Sequence, residues 1–347
     1  MEALAAQSSL LAFVVLAIGL ALLLFSANYF VEGIAAIATI LGVPPLVIGM
    51  TLVAFGTSTP KLVINGLAAV RGETALAFGN IVGACTLNVG FVLAITAIVH
   101  PLRVEPSIIT REIPMLWVGV IALLVLGADK VLDPPATINV FHHADGLILL
   151  LLFGIFLYYT VIYSMASRAL TGHRRDAFLE QVAEETERAP RPAIGRHAVI
   201  TVLALAGVSI SADWTVVGAT GLARFLGLSE NIIGLTIVAL GTTLPEMLTC
   251  VLAARRGNAD IALGNVLGSN IFNMLAIGGM VSLIRPVEVP QGGALDLFFM
   301  AFLALVLMPI AIRSGLTITR GEGVFLLATN VAYVIYRVVT SSNLPSG

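Results

Sequence analysis

Two hexapeptides decide how this chain folds: GTSTPK at residues 56–61 and GTTLPE at residues 241–246. Each lies inside a long apolar run that is typical of a membrane span. The first ends in Lys61 and the second in Glu246. A charged side chain near the middle of a span costs about 3 kcal/mol on insertion scales, and such residues usually have a function. The near-identity of the two segments indicates that they have a common origin.

The composition of the whole chain excludes a soluble protein. Of its 347 residues, 58% are hydrophobic and 11% are charged, whereas soluble domains carry about 25% charged residues. Backbone groups in lipid must be satisfied within the chain, so helices are the expected spanning structure. We therefore predict an all-α polytopic membrane protein whose partners are the lipid bilayer and small solutes. The net charge of −2 gives no support to a nucleic-acid partner.

Ten apolar segments are each long enough to cross a hydrocarbon core of about 30 Å as a helix. They cover residues 9–40, 44–70, 74–99, 112–128, 146–166, 197–226, 230–254, 259–284, 294–312 and 322–340. The long polar stretch at residues 167–196 is predicted to be a cytoplasmic loop. It separates a first five-helix repeat, residues 1–166, from a second five-helix repeat, residues 197–347.

The basic residues predict how the chain is oriented. With the polar loop inside, alternation of the spans puts twelve Lys and Arg residues inside and five outside. This asymmetry agrees with the positive-inside rule and predicts that both termini are outside. Because the N-terminal stretch has no basic region of the kind found in signal peptides, the first span is expected to remain in the protein. A bacterial inner membrane is the expected location.

A shift of 185 residues aligns the two halves of the chain. Residues 42–90 and 227–275 share 19 identities in 49 positions without a gap. The identities include glycine, proline, threonine, asparagine and arginine, which chance similarity between apolar segments would not match. Each half holds five spans, so the second copy enters the membrane from the opposite side. An inverted repeat of this kind is common in secondary transporters, where the substrate site lies near the midplane.

The paired hexapeptides also contain the residues that interrupt a helix. Gly56 and Pro60 are four residues apart, as are Gly241 and Pro245. Proline lacks the N–H of the helical hydrogen bond and clashes with the preceding turn. A break there would free backbone carbonyls beside threonine hydroxyls, and such oxygens suit Na⁺ or Ca²⁺. A proline kink used only for packing would not explain two mirrored segments that both carry ionisable residues.

A second pair of segments follows each hexapeptide: GNIVGACTLN at residues 79–88 and GNVLGSNIFN at residues 264–273. Their small residues allow close helix packing. In the second copy, Ser269 and Asn273 are four residues apart and lie on one helical face. These two side chains could complete an oxygen cage, whereas the first copy has Ala84 in place of the serine.

These motifs resemble the Ca²⁺/cation antiporter superfamily, the Na⁺/Ca²⁺ exchangers and their prokaryotic relatives, over nearly the whole chain. The resemblance implies alternating access by sliding of the first and sixth spans, with inorganic cations as cargo and no cofactor. It also implies a set of side-chain ligands with two carbonyl ligands. The side chains are Thr57, Ser58, Asn88, Thr242, Thr243, Glu246, Ser269 and Asn273, and the carbonyls are those of Ala54 and Ala239. For a bound Na⁺ or Ca²⁺, the resemblance points most directly to Glu246, Thr242, Ser269 and Asn273.

Four positions depart from the family pattern. Lys61 stands where the family has its first central glutamate, Ala84 and Cys85 replace a Ser-Asn pair, and Asn273 stands where several exchangers have aspartate. With both groups ionised, Lys61 and Glu246 sum to zero, which disfavours a divalent cation that must regain its lost hydration from ligands.

Pseudo-symmetry predicts that Lys61 faces Glu246 and that its ammonium occupies the space of a bound cation. Three consequences stay open: fewer ion sites with altered stoichiometry, coupling to protons, or loss of transport with the pair as a structural lock. A lysine that extends to the membrane interface is a further alternative, which the position of Lys61 near the helix break disfavours.

The sequence therefore favours a secondary cation antiporter. The alternatives are a proton-coupled or monovalent cation exchanger and a transport-dead structural or regulatory protein. An enzyme is not expected, because the chain has no zinc-protease or nucleophile-elbow motif. Of the other acids within spans, Asp213 could line an ion pathway, and Glu32 could lie near a water-accessible end. The sequence leaves the oligomeric state open.

Overall fold

A computed structural model describes residues 9–41, 45–132, 138–170, 193–225 and 243–342. The helices are α1 Ser9–Leu41, α2 Pro45–Ile48, α3 Ala54–Arg71, α4 Thr74–Leu87, α5 Ala94–Val99, α6 Ile113–Leu126, α7 Asp129–Leu132, α8 His143–Leu170, α9 Ala193–Phe225, α10 Leu244–Arg255, α11 Ala259–Ile271, α12 Gly278–Ile284, α13 Gly293–Arg313 and α14 Arg320–Ser342. In the described part of the chain, four π-helical segments interrupt or precede them: π1 Gly49–Val53, π2 Asn88–Leu93, π3 Ile108–Glu112 and π4 Phe272–Ile277. The strands are β1 Leu102–Arg103, β2 Val140–Phe141, β3 Val287–Glu288 and β4 Thr317–Ile318.

The helices confirm an integral membrane protein. Within the described residues, seven stretches are long and apolar enough to cross a membrane, and a bent pair, Leu46–Ser58 with Lys61–Arg71, makes an eighth. The less apolar α14 covers the tenth predicted span. Residues 230–242 of the seventh predicted span lie outside the described part of the chain, as does most of the predicted cytoplasmic loop. The count of ten spans therefore stays a prediction.

The chain packs as two compact units that do not follow the two halves of the sequence. The first unit comprises residues 1–61 and 152–268, and the second comprises residues 62–151 and 269–347. Each unit takes segments from both sequence repeats. The division into repeats stays a prediction from the sequence, whereas the two units reflect which helices pack together.

In the first unit, α1 and α9 pack antiparallel along their length because glycines let the helices approach. A Cβ at Gly33 would lie 2.2 Å from the hydroxyl of Thr201, and one at Gly218 would lie 2.4 Å from the backbone nitrogen of Leu16. Gly19 and Gly207 meet the opposite helix in the same way. Small residues at such interfaces permit the close van der Waals packing that drives helix association in lipid.

Close backbone packing also places π1 against α11 in the first unit. A Cβ at Gly268 would lie 2.5 Å from the carbonyl oxygen of Met50, and one at Gly264 would lie 2.6 Å from that of Leu46. The two glycines form a G-x-x-x-G motif, the spacing that aligns small residues on one helical face. This contact fixes α11 beside the helical segment that leads to GTSTPK.

The secondary structure repeats at the 185-residue offset. The helix formed by α4, π2 and α5 spans residues 74–99, and the helix formed by α11, π4 and α12 spans residues 259–284. Strands β1 and β3 follow them at the same offset. β1 pairs with β4, and β3 pairs with β2, both antiparallel. Each ladder joins two loops that the sequence places on the same side of the membrane.

Two turns repeat at the same offset, one in each unit. Gly72 ends α3 with a φ of 84°, and Gly257 follows α10 with a φ of 81°. Both adopt the left-handed conformation that glycine takes without steric cost and that commonly ends a helix. The amide of Glu73 bonds to the carbonyl of Ala68, as the amide of Asn258 does to that of Ala253. The sequence repeat therefore corresponds to a repeated backbone conformation.

Candidate ion-binding centre

The first unit contains a buried ion pair between the last residues of the two hexapeptides. Lys61 Nζ donates to Glu246 Oε1, and the two residues are 4% and 1% exposed. Helix α10 begins at Leu244, with Pro245 in its first turn, so Glu246 lies beside the helix N-terminus. The partial positive charge there stabilises a carboxylate. The structure confirms the predicted contact between Lys61 and Glu246.

The two partners of this pair occupy equivalent positions in the two sequence repeats, 185 residues apart. Two equivalent residues that contact each other lie on the local two-fold axis that relates the two copies, as in an isologous interface. Here opposite charges satisfy each other, which limits the cost of burying both.

The second unit has a contact of the same kind. Cys85 and Asn270 are also 185 residues apart. The thiol of Cys85 lies 3.7 Å from the carbonyl oxygen of Asn270, and the side-chain amide of Asn270 donates to the carbonyl of Cys85 at 3.3 Å. The contact is reciprocal and carries no charge.

On the two helices that carry the ion pair, several buried oxygens have no hydrogen-bond partner among the described residues. In the first unit these are Ser58 Oγ, Glu246 Oε2 and Thr249 Oγ1. A buried acceptor without a partner costs about 1–3 kcal/mol, so these oxygens suit a ligand that supplies positive charge or donors. Hydroxyl and carboxylate oxygens are the ligands that Na⁺ and Ca²⁺ prefer.

Other polar groups of the first unit are held by the protein itself. The hydroxyl of Thr57 lies 3.1 Å from the carbonyl of Val53 and 3.4 Å from both the carbonyl of Ala54 and Asn265 Oδ1. Asn265 Nδ2 lies 3.3 Å from the sulfur of Cys250. These contacts connect α3, α10 and α11 within the unit.

In the second unit, asparagines form a separate buried polar group. Asn88 Nδ2 donates to Asn270 Oδ1 at 2.9 Å, and Ser269 is fully buried. Asn88 Oδ1 and both amide atoms of Asn273 have no hydrogen-bond partner among the described residues. Asn88 begins π2, and Asn273 lies in π4. Short π-helical segments of this kind are often found at functional sites.

The comparison with known proteins decides the family. A family model described as sodium/calcium exchanger protein matches residues 11–162 and 196–339. The chain belongs to the sodium/calcium exchanger family. Its members are transporters that move ions through the membrane, which agrees with the membrane spans and with the antiporter expectation.

Individual exchangers and membrane proteins match over nearly their whole length. The sodium/calcium exchanger MaX1 of Methanosarcina acetivorans is 33% identical over 344 residues, covering 93% of this chain and 97% of that protein. The inner membrane protein YrbG of Escherichia coli is 32% identical over 319 residues, covering 91% and 94%. A solved structure of the sodium-calcium exchanger NCX_Mj has a TM-score of 0.78 at 28% identity and covers 95% of this chain and 99% of that one.

The remaining predicted site residues fall into three groups. Thr243 is fully buried at the N-cap of α10. Thr242 and Ala239 lie outside the described residues. Asp213 has an exposed side chain on α9, and its predicted role in a pathway stays a prediction.

Glu32 is also exposed, and its surroundings give it a specific partner. Arg256 follows α10, with its guanidinium 3.8 Å from the carboxylate of Glu32, and it donates to Asn28 Oδ1. Glu32 is therefore an acid at an accessible position with an arginine beside it, rather than a member of the buried ion pair.

Sequence reasoning missed several buried polar residues beside the exchanger motifs: Asn65, Thr249, Asn265 and Asn270. The 185-residue offset could have found two of these contacts. Asn80 donates to Asn65 in the second unit, and the equivalent residues Asn265 and Cys250 contact each other in the first.

Proposed function

We propose that this member of the exchanger family is a secondary active cation antiporter in which Glu246 is the anionic ligand and the ammonium of Lys61 takes the place of one bound cation. The buried Lys61–Glu246 pair carries the proposal. It lies at the position of the central charged residues of the family motif, in a chain of the exchanger family. The names of the relatives as sodium/calcium exchangers support cations as cargo.

Some of the proposed ligands are supported by contacts and burial in the structure, and others by the sequence motif alone. In the first unit, Ser58 and Glu246 have buried oxygens without a described hydrogen-bond partner, and Thr57 and Thr243 are buried close by in sequence. Thr242, Ala239 and the carbonyl of Ala54 are proposed from the motif. Asn88, Ser269 and Asn273 are likewise proposed from the motif, with their burial in the second unit as support.

Antiport requires a centre that opens to each side in turn and exchanges one occupant for another. A buried carboxylate needs either a bound cation or the lysine ammonium beside it, because an unpaired buried charge is costly. Exchange of one positive charge for another at Glu246 avoids that state. The two inverted repeats predicted from the sequence would supply the two access states, with both termini outside a bacterial inner membrane.

Flux in proteoliposomes tests the proposal. Glu246→Gln removes the anionic ligand while keeping the shape of the side chain, so cation-driven counterflow should fall to background. Glu32→Gln is the matched control, because it makes the same chemical change at an exposed acid of the same unit, and it should retain flux. Equal flux in Glu246→Gln and the unaltered protein would contradict the proposal. Absence of flux in folded, unaltered protein with every cation gradient would instead favour a transport-dead protein.

A further inference from the structure

The charges buried in the first unit are few. Among the described residues of that unit, Lys61 and Glu246 are the charged side chains that are buried. The acids Glu32 and Asp213 are exposed. With both groups ionised, the centre has no net charge before any ion enters.

The neutral character extends to the other proposed ligands. In the first unit, Ser58, a proposed ligand, and Thr249 contribute neutral hydroxyl oxygens. A calcium site in a protein ordinarily uses several carboxylates, and its affinity depends on how many of them carry charge. One carboxylate that is already neutralised by a lysine cannot offset two positive charges.

Glu246 nevertheless has a second carboxylate oxygen that can bind a cation. Its Oε1 accepts from Lys61, whereas its buried Oε2 has no hydrogen-bond partner among the described residues. Lysine carries its charge at the end of a flexible four-carbon stem and behaves as a compact point charge. The ammonium and a monovalent cation are therefore equal in charge, and either can neutralise the single carboxylate.

We infer that the centre formed by Lys61 and Glu246 carries one monovalent cation at a time, in competition with the Lys61 ammonium, and does not carry Ca²⁺. The inference rests on the proposed antiporter function and specifies its substrate class. The ammonium neutralises Glu246 when the cation leaves, and it withdraws when the cation binds. One positive charge then lies against Glu246 in either state, whereas a divalent cation would place two positive charges against a single carboxylate in a buried site.

A series of charge variants at position 61 tests the inference. The centre has a net charge of zero in the unaltered protein, −1 in Lys61→Met and −2 in Lys61→Glu. Purified proteins are reconstituted, and uptake of radioactive Na⁺, Rb⁺ and Ca²⁺ is measured under matched gradients. Stabilisation of each variant by the chloride salts of the same cations in detergent gives a binding readout that does not require transport.

The expected results follow the net charge. The unaltered protein should transport a monovalent cation, with Ca²⁺ uptake at background. Lys61→Met should bind the monovalent cation about 100-fold more tightly, because its competitor is gone, and Lys61→Glu should gain Ca²⁺ binding by about 100-fold. Glu32→Gln, an exposed charge change in the same unit, should leave the ratio of Ca²⁺ to monovalent uptake unchanged.

Ca²⁺ uptake by the unaltered protein at a rate equal to its monovalent uptake would overturn the inference and leave the antiporter function intact. Ca²⁺ binding that is the same in Lys61→Glu and the unaltered protein would also overturn it. If no cation is transported and none stabilises the unaltered protein, the proposed function itself fails. Folding of each variant is checked by gel filtration, and the detergent binding assay is used where a variant reconstitutes poorly.

Discussion

Among the described residues, equivalent positions of the two repeats contact each other at Lys61–Glu246 and at Cys85–Asn270, and one contact is charged whereas the other is neutral. Lys61 and Glu246 in the first unit carry opposite charges. Cys85 and Asn270 in the second unit are neutral and are joined through each other's backbone carbonyls. The side chains of duplicated segments can diverge, provided that those in contact remain complementary to each other. The charged contact has the larger energetic consequences, because either partner alone would be an unpaired buried charge.

The largest expected effect on stability comes from removing one partner of the charged contact. Lys61→Met should lower the free energy of unfolding by about 3–5 kcal/mol in cation-free detergent, because Glu246 is left buried without a counter-charge. The double variant Lys61→Met with Glu246→Met should recover most of this loss. Thermal or denaturant unfolding of the purified proteins measures both.

Added monovalent cation sharpens this test. A ligand that binds only the folded state stabilises it in proportion to the logarithm of its concentration over its dissociation constant. Na⁺ or Rb⁺ should therefore restore stability to Lys61→Met and do nothing for the double variant. A double variant as unstable as the single one would show that the lysine stabilises the fold by packing rather than by charge.

A smaller effect is expected at the neutral contact. Asn270→Leu removes the acceptor for the Asn88 amide and the donor to the carbonyl of Cys85. Loss of these partners in a buried place should lower the free energy of unfolding by about 1–3 kcal/mol, with no dependence on cation. The same unfolding assay measures it.

Cys85→Ser is the matched control, because it alters the other member of the neutral contact while keeping a small side chain that can donate. Its change should stay below about 1 kcal/mol, since the thiol is a weak donor. A loss in Cys85→Ser as large as that in Asn270→Leu would contradict the assignment of the contact's stability to the asparagine amide.

The residues that meet at the charged contact could be predicted from the sequence, since the offset of 185 residues and the two hexapeptides place Lys61 opposite Glu246. The membrane class and the spans around α4 and α11 could be predicted too, because long apolar runs leave few alternatives to a helix. The family motif also identified residues that are indeed buried, among them Asn88 and Ser269.

Other features could not be predicted, for physical reasons. The π-helical segments depend on how one turn packs against its neighbours rather than on local propensity. The strands are two residues long, too short to show an alternating pattern. Asn65 aligns with Cys250, so the contacts of these residues with Asn80 and Asn265 involve unlike side chains and do not show as identities, although the offset relates the two contacts. The two compact units combine segments of both repeats, and no local sequence pattern predicts that combination.

The most direct test of the central claim, that Lys61 and the transported cation compete for Glu246, is a structure determined with Tl⁺, whose anomalous scattering marks a monovalent cation. We expect a Tl⁺ peak beside the carboxylate of Glu246 and the Lys61 ammonium withdrawn from it, whereas cation-free protein should keep the pair. A Tl⁺ site remote from Glu246, or one beside an intact Lys61–Glu246 pair, would contradict the claim.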